Sequence, residues 1–439
     1  MHPDRRRLLQ LTGAGLALSA VPAQAAAPTA AVIPGSPNDQ SASLQAAIDD
    51  AAARGAPLVL PAGTFRAGSL TLRPGSVIIG SGGLTTLLLS GDGPLLAARS
   101  APGIVLRDLI LDGALRPAGT AGHTALAVFD ACPGLDLSAL TIRNGSRNGL
   151  SITASSGRIT ESTFATIADA AIFSLDSVLS IAGNTISDCG NNGILVWRSA
   201  SAEDGSNISG NRISMMRADG GGTGQNGNGI NIFRAGGVQV SNNRITDCAY
   251  SAIRGNAASN LLVSANSCQR LGEVAIYAEF GFTGALIANN LIDGAACGVS
   301  VTNFNEGGRL AVVQGNLIRN IVRREQEPVD KRGEGIAVEA DTLVTGNTIE
   351  NAATCGIMLG SGRYMRDVTA TGNLIRASTI GILISADKAA GAASVTGNTI
   401  TGAKDGAIRA FEAGRAFGPD LAREPATSGR VTISGNTAV

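Results

Sequence analysis

Residues 228–248 read NGINIFRAGGVQVSNNRITDC, and this phrase decides the fold. It holds three short alternations: Ile230/Ile232, Val238/Val240 and Asn243/Ile245. Alternation with a period of two predicts strands with one buried face. Variants of the phrase recur along the chain: NGILVW at 192–197, SNISGNRI at 206–213, GIAVEADTLVTGNTI at 335–349 and GILIS at 381–385. Aligned on G-N-x-I, the units centre on Asn184, Asn211, Asn243, Asn266, Asn290, Asn316, Asn347, Asn373, Asn398 and Asn436. Weaker copies precede them at Asp108, Leu140 and Ser162.

Most of these spacings lie between 22 and 27 residues. A unit that short cannot bury a face alone, so neighbours must stack. Three strands per turn, wound in one sense, predict an all-β, right-handed, single-stranded parallel β-helix of about thirteen rungs. The repeated Asn falls at one turn of every rung, where stacked amides can bond along the column. A sugar-binding role for that column is the weaker alternative.

The ends of such a rod expose strand edges. SASLQAAIDDAAARG (41–55) places Leu44, Ala47, Ile48 and Ala51 on one helical face, with Gly55 as a stop. It predicts a short helix lidding the first rung, within a capping segment 31–57 that leads into a β-helix domain 58–439. At the other end, the irregular stretch 411–428 is a candidate lid, and a partner is the alternative cover. Oligomerisation through the C-terminal end follows as an option.

Composition agrees with many short strands and tight turns. The chain of 439 residues has 58 glycines, and its aromatic share of 3% and charged share of 15% are low. Formal charge is zero, with lysine confined to Lys331, Lys388 and Lys404. No basic field exists to attract nucleic acid or an anionic membrane. The N-terminus is an address: DRRRLLQL (4–11) precedes an apolar run to Val21 and the small residues Ala23-Gln24-Ala25. That order predicts a signal peptide over 1–30, resembling the twin-arginine type with an ordinary Sec signal as the alternative, and hence a periplasmic or secreted protein. Removing 25 residues takes away three arginines and one aspartate and leaves a charge near −2. No other run is long enough to span a bilayer.

Six cysteines in an exported chain would ordinarily pair. The repeat register opposes this. Cys189 matches Cys248 and Cys297 matches Cys355, each pair with one rung between, or ~10 Å apart. That exceeds disulfide reach.

Residues 38–92 include NDQSASLQAAIDDAAARGAPLVLPAGTFRAG and LRPGSVIIGSGG, and they resemble the opening segment of the pectate-lyase-like β-helices. The twin-arginine signal combined with G-N-x-I repeats resembles a family of twin-arginine-translocated β-helix repeat proteins that carries no assigned activity. The resemblance covers nearly the whole mature chain. The superfamily implies a carbohydrate substrate, commonly a polyuronate, and a fold alone does not fix chemistry.

NGNGINI (226–232) followed by VQVSNNRITDCAYSAI (238–253) also resembles the layout of polygalacturonases. Carried over, their catalytic acids fall on Asn228 and near Tyr250 and Ser251. Their GHG falls near Val274, and their RIK pair falls on Ser300 and Thr302. None of these residues fits, and Asn228 can be neither acid nor base for inverting hydrolysis. The His-Asp signature of C5-epimerases is missing, since the only histidines are His2 and His123. His123 follows a Gly-rich loop and reads as a surface or hydrogen-bonded residue.

In the G-I-x-V strands, the residues between and after the inward pair point outward. Rung by rung these are Leu195/Trp197, Asn231/Phe233, Arg254/Asn256, Tyr277/Glu279, Ser300/Thr302 and Ala337/Glu339. Polar and aromatic residues thus gather on one face of the middle rungs. Insertions 217–228 and 322–334 lengthen the turn just before this strand, and repeat folds put such insertions on a binding side. They predict a groove walled at both ends.

On its floor, Arg254 could hold a substrate carboxylate or pair with Glu279. Tyr277 is a candidate proton donor and Glu279 a candidate base. Trp197, Asn231, Phe233, Asn256 and Glu339 are candidate substrate contacts. These parts suit uronate β-elimination or epimerisation better than hydrolysis, on an acidic polysaccharide or oligosaccharide. A non-catalytic glycan-binding or cell-envelope protein is the alternative. No metal motif is present, so no cofactor is expected, and Ca²⁺ shared by acidic groups is admissible without a motif to indicate it.

Overall fold

The computed structural model describes residues 32–116, 124–302, 307–324, 332–424 and 429–439. The signal segment, His123 and Lys331 lie outside them. The chain is a right-handed parallel β-solenoid with one helix near its N-terminus. Among the described residues, three sheets of fifteen strands run along the solenoid, here called A, B and C in the order each turn visits them. Setting aside the short, partly paired strands of the first and last turns leaves about thirteen full turns.

The opening motif explains the layout. Sheet A holds the V-x-V strands such as Gln239–Ser241, sheet B the N-x-I strands such as Arg244–Cys248, and sheet C the G-I-x-V strands such as Asn228–Gly236. Inward residues stack by type. On sheet C, Ile172, Ile194, Ile230, Ile253, Ile276, Val299, Ile336, Ile357 and Ile382 are in register and fully buried. The column is isoleucine throughout except at Val299, and trimming one of its isoleucines to Val would cost about 0.5–1.5 kcal/mol.

The G-N step has a geometric cause. The residue before each ladder Asn has a left-handed backbone, from Gly183 (φ 69°) to Gly435 (φ 64°). Glycine takes that conformation without strain, and Asn242, Ala265 and Asn289 occupy it elsewhere. The Asn that follows turns inward. Asn243 donates from Nδ2 to Asn266 Oδ1 (3.0 Å) and to the Ile208 carbonyl (3.0 Å). Its own Oδ1 accepts from the Asn211 backbone and amide, both at 2.9 Å. The ladder runs from Asn184 to Asn436 and extends upstream through Ser162 and Leu140. The earliest weak copy is one residue off: Leu109, not Asp108, stands in register with Leu140, and Asp108 holds the left-handed position before it.

The helix Ser41–Ala53 lids the first turn, with Leu44, Ile48 and Ala51 buried and Ala47 half-buried. Gln45 completes the closure. Its amide accepts from the Thr71 N–H and donates to the Thr71 carbonyl, both at 2.8 Å, as a neighbouring strand would. At the other end, Ile408–Glu412 pairs antiparallel with Arg415–Phe417. The Asp420 carboxylate then accepts the N–H groups of Ala407 and Ile408. This blocks the sheet C edge, while sheets A and B end in the half-exposed strands Val431–Ser434 and Thr437–Ala438.

All six cysteines are buried, and none forms a disulfide. Met216 separates Cys189 from Cys248, and Glu334 separates Cys297 from Cys355, as the register predicts. Cys268 stands in the sheet B isoleucine column between Ile245 and Ile292. Burial pushes the Cys189 and Cys268 thiols up to about 12, so they remain protonated and inert.

Candidate functional site

Strand pairing aligns the outward residues of sheet C in two columns. Leu195, Asn231, Arg254, Tyr277, Ser300 and Ala337 form one; Trp197, Phe233, Asn256, Glu279 and Thr302 form the other. The Glu339 N–H donates to the Val301 carbonyl (3.1 Å), which sets Glu339 beside Thr302. Every sequence-predicted site residue therefore shares one face. They lie deeper than expected: Tyr277 is 6% exposed, Glu339 6% and Glu279 only 2%.

The turn insertion explains part of that depth. Residues 217–227 fold over the N-terminal half of the face. Gly224, with φ 140°, packs its backbone directly on the Arg254 guanidinium, where any Cβ would collide. The Gly222 carbonyl accepts the Tyr250 hydroxyl (3.0 Å) and anchors the same loop. The second insertion is described only at its edges, Val322–Arg324 and Arg332–Glu334.

Arg254 is committed within the protein. It donates from Nε to Glu279 Oε1 (2.7 Å) and from Nη2 to Glu279 Oε2 (3.0 Å), and its Nη1 lies 3.4 Å from Glu273 Oε2. Burial alone would lower its pKa, but the forked contact with Glu279 outweighs this and raises it. Asn256 adds a bond to Glu279 Oε1 (2.9 Å). Of the two roles expected for Arg254, the ion pair is the one the geometry shows. Glu279 is sealed behind it.

Two cavities open on the face. One, of about 330 Å³, is lined by Trp197, Thr223, Gln225, Asn231, Phe233, Arg254, Asn256 and Phe280. Here the Trp197 ring meets Phe173 and Phe233 edge-to-face, with centroids at 5.5 and 5.7 Å. Its indole N–H donates to Asn231 Oδ1 (3.1 Å). The other, of about 340 Å³, is lined by Tyr277, Ser300, Thr302, Arg332, Glu334, Ala337, Val338, Glu339, Met358 and Ser361. Arg332 donates from Nη2 to the Tyr277 hydroxyl (3.3 Å). Burial raises the Tyr277 phenol above its ordinary value, so it is a protonated donor at neutral pH. Burial likewise raises the Glu273 carboxyl, against the pull of Arg254, Arg332 and Arg324.

Sequence reasoning missed Phe173, Glu273, Arg332 and Glu334. Phe173 was within reach, since the outward pattern extends one rung upstream. The other three stand in turns or at a strand start, where alternation says nothing.

The positions aligned with polygalacturonase acids are structural. Asn228 is fully buried, and its amide bridges Asn192 Oδ1 (3.1 Å) and the Gly224 carbonyl (2.9 Å). Among the described residues, no cluster of three or more His, Cys, Asp or Glu side chains is arranged to hold a metal ion. No helix there is long and apolar enough to cross a membrane.

A family sequence model described as a right handed beta helix region matches residues 148–339, which hold the Trp197 cavity and most of the lining of the Tyr277 cavity. No curated protein is recognisably similar in sequence. Among solved structures, the catalytic unit of a GH87 alpha-1,3-glucanase from Streptomyces thermodiastaticus aligns at 16% identity and TM-score 0.53, over 93% of this chain and 67% of that one. The tailspike protein of E. coli bacteriophage HK620, in complex with a pentasaccharide, aligns at 15% identity and TM-score 0.51, over 85% and 69%. A mannuronan C-5 epimerase A-module of Azotobacter vinelandii aligns at 18% identity and TM-score 0.42, over 92% and 96%. At these identities the likeness is one of fold.

Proposed function

We propose that the chain binds a polysaccharide along the sheet C face and acts on it as a polyuronate lyase or epimerase at the Tyr277 cavity. One observation carries this reading: a protonated tyrosine hydroxyl, held by Arg332, faces a cavity that also presents Glu334 and Glu339. β-Elimination or epimerisation of a uronate needs a cation for the carboxylate, a base for the C5 proton and an acid for the return or leaving step. Arg332 is the cation that lines this cavity, and Arg254 does not line it. Tyr277 is the acid. Glu339 lines this cavity and Glu279 does not, so Glu339 is the candidate base. The carbohydrate-related proteins with the same fold support a glycan as ligand.

A second reading, glycan binding without turnover, draws on the Trp197 cavity, where the charge of Arg254 is balanced by Glu279. We further propose export to the periplasm or beyond, on the residue 4–25 signal; fractionation of cells expressing the full chain tests that separately.

The mature protein is incubated with polyuronates. Rising ultraviolet absorbance from unsaturated ends identifies a lyase, and altered C5 proton signals in NMR identify an epimerase. Tyr277→Phe should abolish either while preserving binding. Binding by the parent protein with neither signal would leave the second reading.

A further inference from the structure

The two cavities differ in chemistry, and the difference bears on the ligand. We infer that the Trp197 cavity is a separate subsite that takes a neutral hexopyranose with its C–H face against the indole. The inference rests on the groove reading above and extends it. A substrate engaging both cavities carries an uncharged sugar a few residues from the one that reacts.

The ring is built for this role. Phe173 and Phe233 clamp Trp197 edge-to-face from the rungs on either side. Its only polar group is consumed by Asn231. What remains to offer a ligand is a fixed apolar face, and a sugar presents axial C–H groups of matching character. The polar lining is uncharged: Thr223 and Gln225 from the loop, with Asn231 and Asn256 from the strands. The single cation, Arg254, is already neutralised by the forked contact to Glu279. A uronate carboxylate placed here would lose water and gain no unspent positive charge, which is unfavourable. The lining of the reacting cavity is of another kind, with three ionisable side chains, Arg332, Glu334 and Glu339, beside Tyr277.

The spacing suits one ligand. Phe233 and Thr302 stand in one column, three rungs apart, or ~14 Å. A saccharide lying along the axis spans both cavities, and a single sugar does not.

The chain has one tryptophan, so its fluorescence reports this subsite alone. The mature protein is titrated with hexasaccharides of glucose, mannose, galactose and N-acetylglucosamine, and with hexagalacturonate. At least one neutral hexasaccharide should shift the emission saturably, and its monomer should not at the same concentration. Hexagalacturonate should leave the emission unchanged. By calorimetry, Trp197→Ala should weaken the responding ligand at least tenfold. Gln225→Ala, on the exposed loop and harmless to folding, should weaken it several-fold with an unchanged melting temperature. Silence with every neutral probe, or a larger response to hexagalacturonate, overturns the inference. A tryptophan response without turnover of any polymer would sink the proposed reaction and leave the subsite standing. Polyuronate turnover with a tryptophan silent to every neutral hexasaccharide would do the reverse.

Discussion

At the residue scale, the decisive group is Arg254. Its guanidinium joins Glu279, Glu273 and the Gly224 backbone, and it lies 5.0 Å from the centroid of the Tyr277 ring. It organises the floor between the two cavities. Removing one partner of a buried pair leaves an uncompensated charge, which costs far more than the pair contributes. Arg254→Ala should therefore destabilise by about 3–5 kcal/mol in urea denaturation. Adding Glu279→Gln should restore much of that loss, because the orphaned charge goes with it. Sequence patterning placed Arg254, Tyr277 and Glu279 on one face because period two fixes side-chain direction. It did not give their depth, which depends on turns that fold back over them. Glu273 and Arg332 were illegible for the same reason, since turn residues obey no period.

At the element scale, the Asn ladder holds the A-to-B corner of the turns from Asn184 to Asn436. Asn266 accepts from the Asn243 amide and N–H and donates to Asn290 Oδ1 and the Val240 carbonyl. Asn266→Ala would orphan several buried groups at once, at about 1–3 kcal/mol each. Asn436 closes the last turn and is half-exposed, so water can replace its bonds. Asn436→Ala should cost distinctly less than Asn266→Ala, as chemical denaturation of the two variants would show. The ladder was legible because one residue must recur wherever one geometry recurs. The offset at Asp108 arose where Leu replaces Asn and the marker disappears. The antiparallel return at Arg415–Phe417 was illegible in detail, because it happens once.

At the scale of the whole molecule, charge is laid out as short-range pairs on the outer faces. Arg158 holds Asp136 below its ordinary value of 3.8, and Arg270 does the same for Asp247. The Asn320 amide, with Arg319, does so for Asp293. A lowered carboxylate contributes stability that is present above 3.8 and lost as pH falls through its folded value. Glu273 works oppositely. Its raised value means that acidification toward its ordinary 4.5 favours the folded state. The melting temperature should hold or rise slightly from neutral pH to about 4.5, then fall below 3.8. Glu273→Gln should remove the slight rise and leave the acid limb in place. Their arginine partners are well exposed and Asp136 and Asp293 are only partly buried, so the acid limb should be shallow and blunted by salt.

The one-way chain of amides also governs how such a protein can change size. Each Asn hands its hydrogens to the next turn, so the column accepts a whole extra turn anywhere and rejects a fraction of one. Growth by duplication would lengthen the groove in equal steps and leave neighbouring rungs undisturbed. Smaller insertions are confined to corners outside the column, as the loop over Arg254 shows. New ligand preferences can therefore arise at those corners while the rod beneath keeps its pitch.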